Sequence, residues 1–265
     1  MVNYYNQSYS LRIKSNKLFQ EAENLLLEEL GLSSFAKATK DEERIYIVNF
    51  SEVKNSHRAD PEYFQPKYQK LFSIIQTHYP KLLGEIASIK KGFEPGSEAY
   101  QEEGNKFIRV SNLTKLGFEE GDEKFISNDL YNKLKANFEP KVSEILLTKD
   151  GTPGISYLIK EPFEGIISGG ILRLKTKTDV NAEYVSLVIN SIVGQWQAQR
   201  DAGGAIIVHW RPEQIKNMLI PILPKETQQK IADLVRKSHE ARKKSKDLLA
   251  QAKRKVEEMI EKGGK

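Results

Sequence analysis

From Pro224 to Lys262 one position in every three or four marks a single seam: Ile231, Val235, Ser238, Arg242, Ser245, Leu249, Ala252, Val256 and Met259. Alternating spacings of four and three are the repeat of a coiled-coil helix. Pro224 is placed to start it and Gly263-Gly264 to stop it,. At 1.5 Å per residue the pattern predicts a rod of roughly 55 Å. A globular domain does not need such a length to cover its own core, so the rod should carry something. Its seam is apolar at both ends and polar from Ser238 to Ser245, which reads as a weak stretch, a register device or a docking point for a partner. A second helix is predicted over residues 8–31, where Leu11, Ser15, Leu18, Ala22 and Leu25 keep the same alternation and Gly31 supplies a stop,. The two stripes are expected to bury each other, parallel or antiparallel, within one chain or between chains.

Between these helices the period changes. Residues 33–44 are polar and read as a linker, and Ile45–Phe50 as a short strand,. Residues 60–77 read as a turn followed by a helix with Tyr68, Leu71, Phe72 and Ile75 on one face,. Period-two runs then recur at 107–110, 144–148, 155–159, 166–168 and 171–176, separated by Gly, Pro, Asn and Asp,. Helical spacing returns over 183–198. A short strand at 206–208 and a short helix near 213–217 follow, leading to Leu219-Ile-Pro-Ile-Leu. The predicted class is α+β: a mainly β domain with a few helices, carried on long coiled-coil helices.

Composition narrows the picture in three ways. The chain has 265 residues, 39% of them hydrophobic, and no apolar run approaching the length of a membrane span,. With no cysteine it has neither a disulfide framework nor a thiolate metal site,. Its first residues, Met-Val-Asn-Tyr-Tyr, lack the basic and apolar regions of an export signal, so a cytoplasmic location is expected,. The net charge of +5 lies mainly in the rod: residues 225–262 carry 12 basic and 7 acidic side chains, whereas residues 61–224 carry 20 of each. Charge alone therefore does not argue for nucleic acid; the cations of the middle region would have to gather on one face.

Catalytic constellations are missing from the pattern. The four histidines, His57, His78, His209 and His239, are isolated, Gly151-Thr-Pro-Gly154 lacks the lysine of a phosphate loop, and no Pro-Pro pair forms the corner of an amino-methyltransferase,. Glu139-Pro140-Lys141 could belong to a metal-dependent nuclease, but a proline within that strand is awkward, and a loop ahead of the strand at Glu144 is the simpler reading,. More informative is Leu172-Arg-Leu-Lys-Thr-Lys177. Period two turns Arg173, Lys175 and Lys177 to one face at intervals of about 7 Å,, either as an ordinary solvated strand or as a cationic row. Lys90-Lys91-Gly92, Arg109 to Lys115 and Thr148 to Thr152 mix cations with small polar groups on predicted turns. Such loops suit a DNA groove, where Lys and Arg meet phosphates and Asn, Ser and Thr read base edges, although the same residues favour turns for local reasons. His209-Trp210-Arg211 puts an aromatic beside two basic groups, either exposed or with the indole plugging the loop from beneath,.

Five segments in order carry a resemblance. Leu83-Gly-Glu-Ile-Ala, Lys91-Gly-Phe-Glu-Pro-Gly, Phe107-Ile-Arg-Val-Ser-Asn-Leu, Val142-Ser-Glu-Ile-Leu-Leu-Thr-Lys-Asp-Gly-Thr-Pro-Gly and Ile220-Pro-Ile-Leu-Pro-Lys-Glu-Thr-Gln-Gln-Lys-Ile resemble the target recognition domain of type I restriction-modification specificity subunits, over about residues 60–262. A full subunit of that family has two recognition domains held apart by two long antiparallel helices, and this sequence looks like half of one. The resemblance implies an N-terminal coiled-coil helix over 1–36, a target recognition domain over 37–224 and a dimerisation helix over 225–265. It implies a non-catalytic DNA reader, homodimeric, that binds a bipartite double-stranded site. It also implies partners: DNA adenine methyltransferase and restriction subunits, which alone would hold S-adenosylmethionine, ATP and magnesium. Lys90, Lys91, Arg109, Ser111, Asn112, Lys115, Lys149, Thr152, His209, Trp210 and Arg211 are then candidate DNA contacts, joined by Arg173 and Lys175 of the basic strand. Ile231, Val235, Leu249, Ala252, Val256 and Met259 are candidates for the dimer seam. A coiled-coil scaffold that binds only protein is the competing expectation, resting on the neutral middle region.

Overall fold

A computed structural model describes residues 2–37, 45–119, 121–177, 179–203 and 208–263. Its helices are α1 (Val2–Glu29), α2 (Ser33–Lys37), α3 (Phe50–Ser56), α4 (Pro66–Gln76), α5 (Leu83–Ile86), α6 (Asn128–Phe138), α7 (Ala182–Asn190), α8 (Ile192–Asp201), α9 (Pro212–Lys216) and α10 (Lys225–Gly263). Its strands are β1 (Lys81–Leu82), β2 (Ala87–Lys91), β3 (Asn105–Ile108), β4 (Leu113–Thr114), β5 (Gly117–Phe118), β6 (Lys124–Ile126), β7 (Ile145–Thr148), β8 (Ser156–Leu158), β9 (Gly165–Ile167), β10 (Ile171–Thr176) and β11 (Leu219–Ile220). The α+β class holds: a strand-rich domain sits on two long helices.

Those helices pair antiparallel within the chain. Ser8 lies opposite Ser245, and Ser15 opposite Ser238. The Ser8 hydroxyl donates to the Ser245 carbonyl at 2.9 Å and the Ser245 hydroxyl to the Ser8 carbonyl at 2.8 Å. Ser238 donates to the Ser15 carbonyl at 2.8 Å. Side chain to opposite backbone is a short reach, so the helices touch where the side chains are small. The polar middle of the seam is thus neither weak nor turned outward; it fixes register, because a slip of one turn would leave all four hydroxyls buried without these partners.

Part of the seam is taken up within the chain. Ile231, Val235 and Ala252 are buried, Val256 is half-buried, and Leu249 and Met259 are 51% and 64% exposed. Ser245 and Ala252 on either side of Leu249 stay buried, so Leu249 alone turns to the open flank of the pair, toward Leu116 and Phe118.

The main sheet is antiparallel, in the order β2-β10-β7-β8, and a second sheet, β6-β3-β9, pairs β3 and β9 in parallel. Leu172 and Leu174 of β10 point into a core shared with Leu26 and Leu30 of α1, Leu71 of α4, Tyr184 of α7 and Ile231 of α10. On the opposite face Ile171 and Leu146 pack with Ile108 and Ile167. The sequence placed strands within two residues of β3, β7, β8, β9 and β10. It did not find β2 or α6, whose N-cap Ser127 accepts from the Leu130 amide at 3.2 Å. Residues 45–49 are not a strand: Ile45 and Ile47 are more than 90% exposed and make no ladder. The strand expected at 206–208 falls mostly outside the described residues. Among the described residues no helix is long and apolar enough to cross a membrane.

Where domain meets rod, His239 of α10 is 8% exposed, its ring 5.4 Å from that of Tyr157 and 6.5 Å from that of Phe19. Burial, with the Lys160 charge behind it, pushes its pKa from 6.5 down to about 4,. The unfolded chain therefore binds an extra proton between those values. Stability should be full above about pH 6.5 and fall by about 3 kcal/mol as the pH drops toward 4. Urea melts across that range should show this slope, and His239→Leu should flatten it; an equally steep slope in the variant would place its origin elsewhere.

Candidate nucleic-acid interface

The antiparallel order of the main sheet brings the end of β2, the start of β10, the end of β7 and the start of β8 to one edge. Parallel pairing of β3 with β9 delivers the turn after β3 to the same edge. Backbone bonds stitch the loops together there: Gly92 N to Ile171 O at 3.0 Å, Phe93 N to Ile167 O at 2.9 Å, Ser168 N to Ile108 O at 2.8 Å, Lys149 N to Gly170 O at 2.9 Å, Gly151 N to Val208 O at 2.9 Å and Trp210 N to Lys149 O at 2.8 Å. Five segments, 91–94, 109–112, 149–154, 168–170 and 208–211, thus form one surface. Gly92 makes the closure possible, because a Cβ there would lie 2.1 Å from the Ser168 carbonyl oxygen,.

Most of the predicted contact residues gather on this edge, in different roles. Lys90 and Lys91 are exposed at the end of β2 and, among the described residues, form no ion pair; Arg211 is exposed ahead of α9, its guanidinium Nε 3.4 Å from the Gln214 side-chain oxygen. Ser111 and Thr152 are exposed. Arg109 bonds the Asp122 carboxylate, and Asn112, 3% exposed, ties the Arg109 amide to the Asp122 carbonyl, so Asn112 holds the turn and does not face solvent. Lys149 reaches Asp150 at 2.5 Å, and the other carboxylate oxygen of Asp150 is 2.7 Å from His209 Nδ1. Burial opposes the charge of Asp150, but Lys149 and His209 outweigh it and hold the carboxyl below its usual range. Asp122 and Asp150 were invisible in the sequence as organisers, since carboxylates in turns are commonplace.

Other candidate contacts do not reach this surface, and of the two readings of Trp210 the plug is the one that holds. Trp210 is 1% exposed, a plug in the main core. Arg173 is buried: its Nη1 donates to the Glu139 carbonyl at 2.5 Å and its Nε lies 3.4 Å from the Glu144 carboxylate. The predicted cationic row fails because its face of β10 packs against the second core; Lys175 is exposed but opposite Ser88, toward the far edge, and Lys177 donates to the Glu85 carbonyl. Lys115 lies away from the edge, its ammonium 5.0 Å above the Phe19 ring of α1. Glu139 and Lys141 pair with each other ahead of β7, and no group of three metal-ligating side chains occurs among the described residues.

A family model described as the type I restriction modification DNA specificity domain matches residues 80–252, well over half of the chain. The chain belongs to that family. The matched span takes in the loop-bearing edge and most of α10, so edge and rod are parts of one specificity-domain unit. No curated protein matches the chain. Among solved structures it is similar to the type I restriction-modification S subunit from M. genitalium (18% identity over 58% of this chain and 37% of that one, TM-score 0.42). It is also similar to a chain from a structure on complex assembly and conformational transition of the type I R-M system (13%, 98% and 57%, TM-score 0.45). A third is the HsdS subunit from Thermoanaerobacter tengcongensis (15%, 69% and 51%, TM-score 0.38). The chain therefore spans between about a third and somewhat over half of the length of these structures. Family membership rests on the domain match alone.

Proposed function

We propose that this chain is a non-catalytic, cytoplasmic DNA reader, which meets double-stranded DNA with the loop-bearing edge of its domain and joins a second copy through its helical pair. Two edges held apart by rods would read a bipartite site and bring DNA adenine methyltransferase and restriction subunits to it. The chemistry of S-adenosylmethionine, ATP and magnesium would belong to those partners. One observation carries the reading: the stitched edge presents Lys90, Lys91 and Arg211, which form no ion pair among the described residues, beside the exposed hydroxyls of Ser111 and Thr152. Such cations suit phosphates and such hydroxyls suit base edges.

Binding to duplexes containing the target, measured across salt concentrations, tests it. Lys91→Ala and Arg211→Ala should each reduce the slope of log K against log salt by about one and weaken binding to all sequences alike. Ser111→Ala or Thr152→Ala should leave the slope in place and relax sequence preference. Methylome sequencing of cells carrying the chain with its methyltransferase should show one interrupted motif. No duplex binding even at low salt, with no methylated motif, would leave the protein-binding scaffold as the better reading.

A further inference from the structure

Two segments of the edge meet as a short ladder. The Gly151 amide donates to the Val208 carbonyl at 2.9 Å and the Trp210 amide to the Lys149 carbonyl at 2.8 Å, so Asp150 and His209 between them form a non-hydrogen-bonded antiparallel pair. Pairs of that kind bring their side chains closest together. Successive side chains on an extended segment point to opposite faces. Trp210 therefore enters the core, 1% exposed, while the His209 side chain turns outward, 57% exposed. A second neighbour fixes the same backbone: the His209 amide donates to the Gly203 carbonyl at 2.8 Å, and the Gly203 amide to the His209 carbonyl at 3.1 Å.

Asp150 decides where the imidazole carries its proton. One carboxylate oxygen meets the Lys149 ammonium, and the other lies 2.7 Å from His209 Nδ1. Against the cost of burial, Lys149 and His209 hold this carboxyl below its usual range, so it stays ionised. An ionised carboxylate only accepts hydrogen bonds, so Nδ1 must be the donor. Lys149 already supplies a counter-charge, and a neutral imidazole completes the pairing. The bond at one ring nitrogen settles the state of the other: with the proton on Nδ1, Nε2 is a bare acceptor on an exposed ring.

That sets His209 apart from its neighbours. Lys90, Lys91 and Arg211 can only donate, and the hydroxyls of Ser111 and Thr152 turn either way. A fixed acceptor has no use for a phosphate, which is itself an acceptor. In the major groove the donors are the N6 amine of adenine and the N4 amine of cytosine, whereas guanine and thymine present acceptors.

We infer that His209 reads an adenine or cytosine by accepting a hydrogen bond from its exocyclic amine at Nε2, and that Asp150 is the positioning residue that fixes the tautomer for this contact. The inference rests on the DNA-reading edge proposed above and assigns to one of its residues the class of base that it recognises.

The test starts from the motif that the full chain selects out of random duplexes. Each adenine of the motif is replaced singly by purine, which lacks the 6-amino group, and each cytosine by 2-pyrimidinone, which lacks the 4-amino group. Binding is then measured for the wild-type chain, His209→Ala and Asp150→Asn, with thermal melts to confirm that both variants fold. At one position of the half-site, removing the amine should weaken wild-type binding about tenfold and leave His209→Ala unaffected. Asp150→Asn should behave differently again. Lysine has no acceptor, so it keeps the amide oxygen and turns the amide nitrogen toward His209; Nδ1 must then accept, and Nε2 becomes the donor. Guanine should be admitted at that same position while adenine or cytosine weakens, a change of preference that a merely structural role would not produce. Amine removal that costs the wild type and His209→Ala the same at every position overturns the inference, as does a His209→Ala chain that loses affinity for all sequences alike with a shallower salt dependence, the mark of a phosphate-binding cation. Either result leaves the DNA reader standing. A wild-type chain that retains no duplex at low salt overturns the DNA reader and this contact together.

Discussion

Replacing Trp210 with alanine should destabilise the chain by about 3–5 kcal/mol, the range for deleting a buried aromatic side chain. The indole is 1% exposed and belongs to the core that joins sheet, helices and rod. Its amide also bonds the Lys149 carbonyl at 2.8 Å, so the ring anchors the 208–211 segment under the edge. Trp210→Phe separates this role from direct contact with DNA. The indole nitrogen has no hydrogen-bond partner among the described residues, so phenylalanine gives up mainly volume, costing about 1 kcal/mol, and should keep DNA affinity near wild type. Urea unfolding gives the stability of each variant. An exposed reading residue would give the reverse result, with both variants stable and DNA binding lost in both.

Arg173→Ala should cost a similar amount, about 3–5 kcal/mol, by leaving Glu144, whose side chain is 12% exposed, without its counter-charge,. Arg173 is 4% exposed, its Nε 3.4 Å from that carboxylate, and it also caps the chain after α6 through the Glu139 carbonyl. The paired replacement Arg173→Leu with Glu144→Gln should recover a good part of the loss, because removing both charges abolishes the isolated one. A double-mutant cycle in urea reads the difference. Costs that simply add would mean that the two side chains are not coupled.

The contrast between these two residues and the exposed lysines shows how far the sequence could be read. Alternation of apolar residues located β7 and β10 because both bury leucines and isoleucines in a main core. Alternation cannot tell whether the other face of a strand meets water or a second core, and Arg173 was misplaced for that reason. The polar turns marked the loops of the edge, because turn chemistry is local. Which turn residues face outward depends on Asp122 and Asp150, whose bonds to Arg109, Asn112 and His209 connect separate segments of the chain. The serines of the rod were visible as a polar interruption, but their meaning needed the partner helix: a hydroxyl looks out of place in an apolar seam until Ser8 and Ser15 stand across from it.

The continuous core from α1 through the sheet to α10 has a consequence for transplanting this domain. A graft cut at residues 37 and 224 would follow the change in periodicity and look tidy in the sequence. It would also strip Leu26, Leu30, Ile231 and Val235 from their neighbours in the same core and leave the recipient with a greasy wound on the graft and another on the stump. The smallest portable piece of this protein is the domain together with the near halves of both long helices. Donor and recipient should therefore be spliced out along the rods, at matched serine pairs, where the seam is polar and the helices already agree on their register.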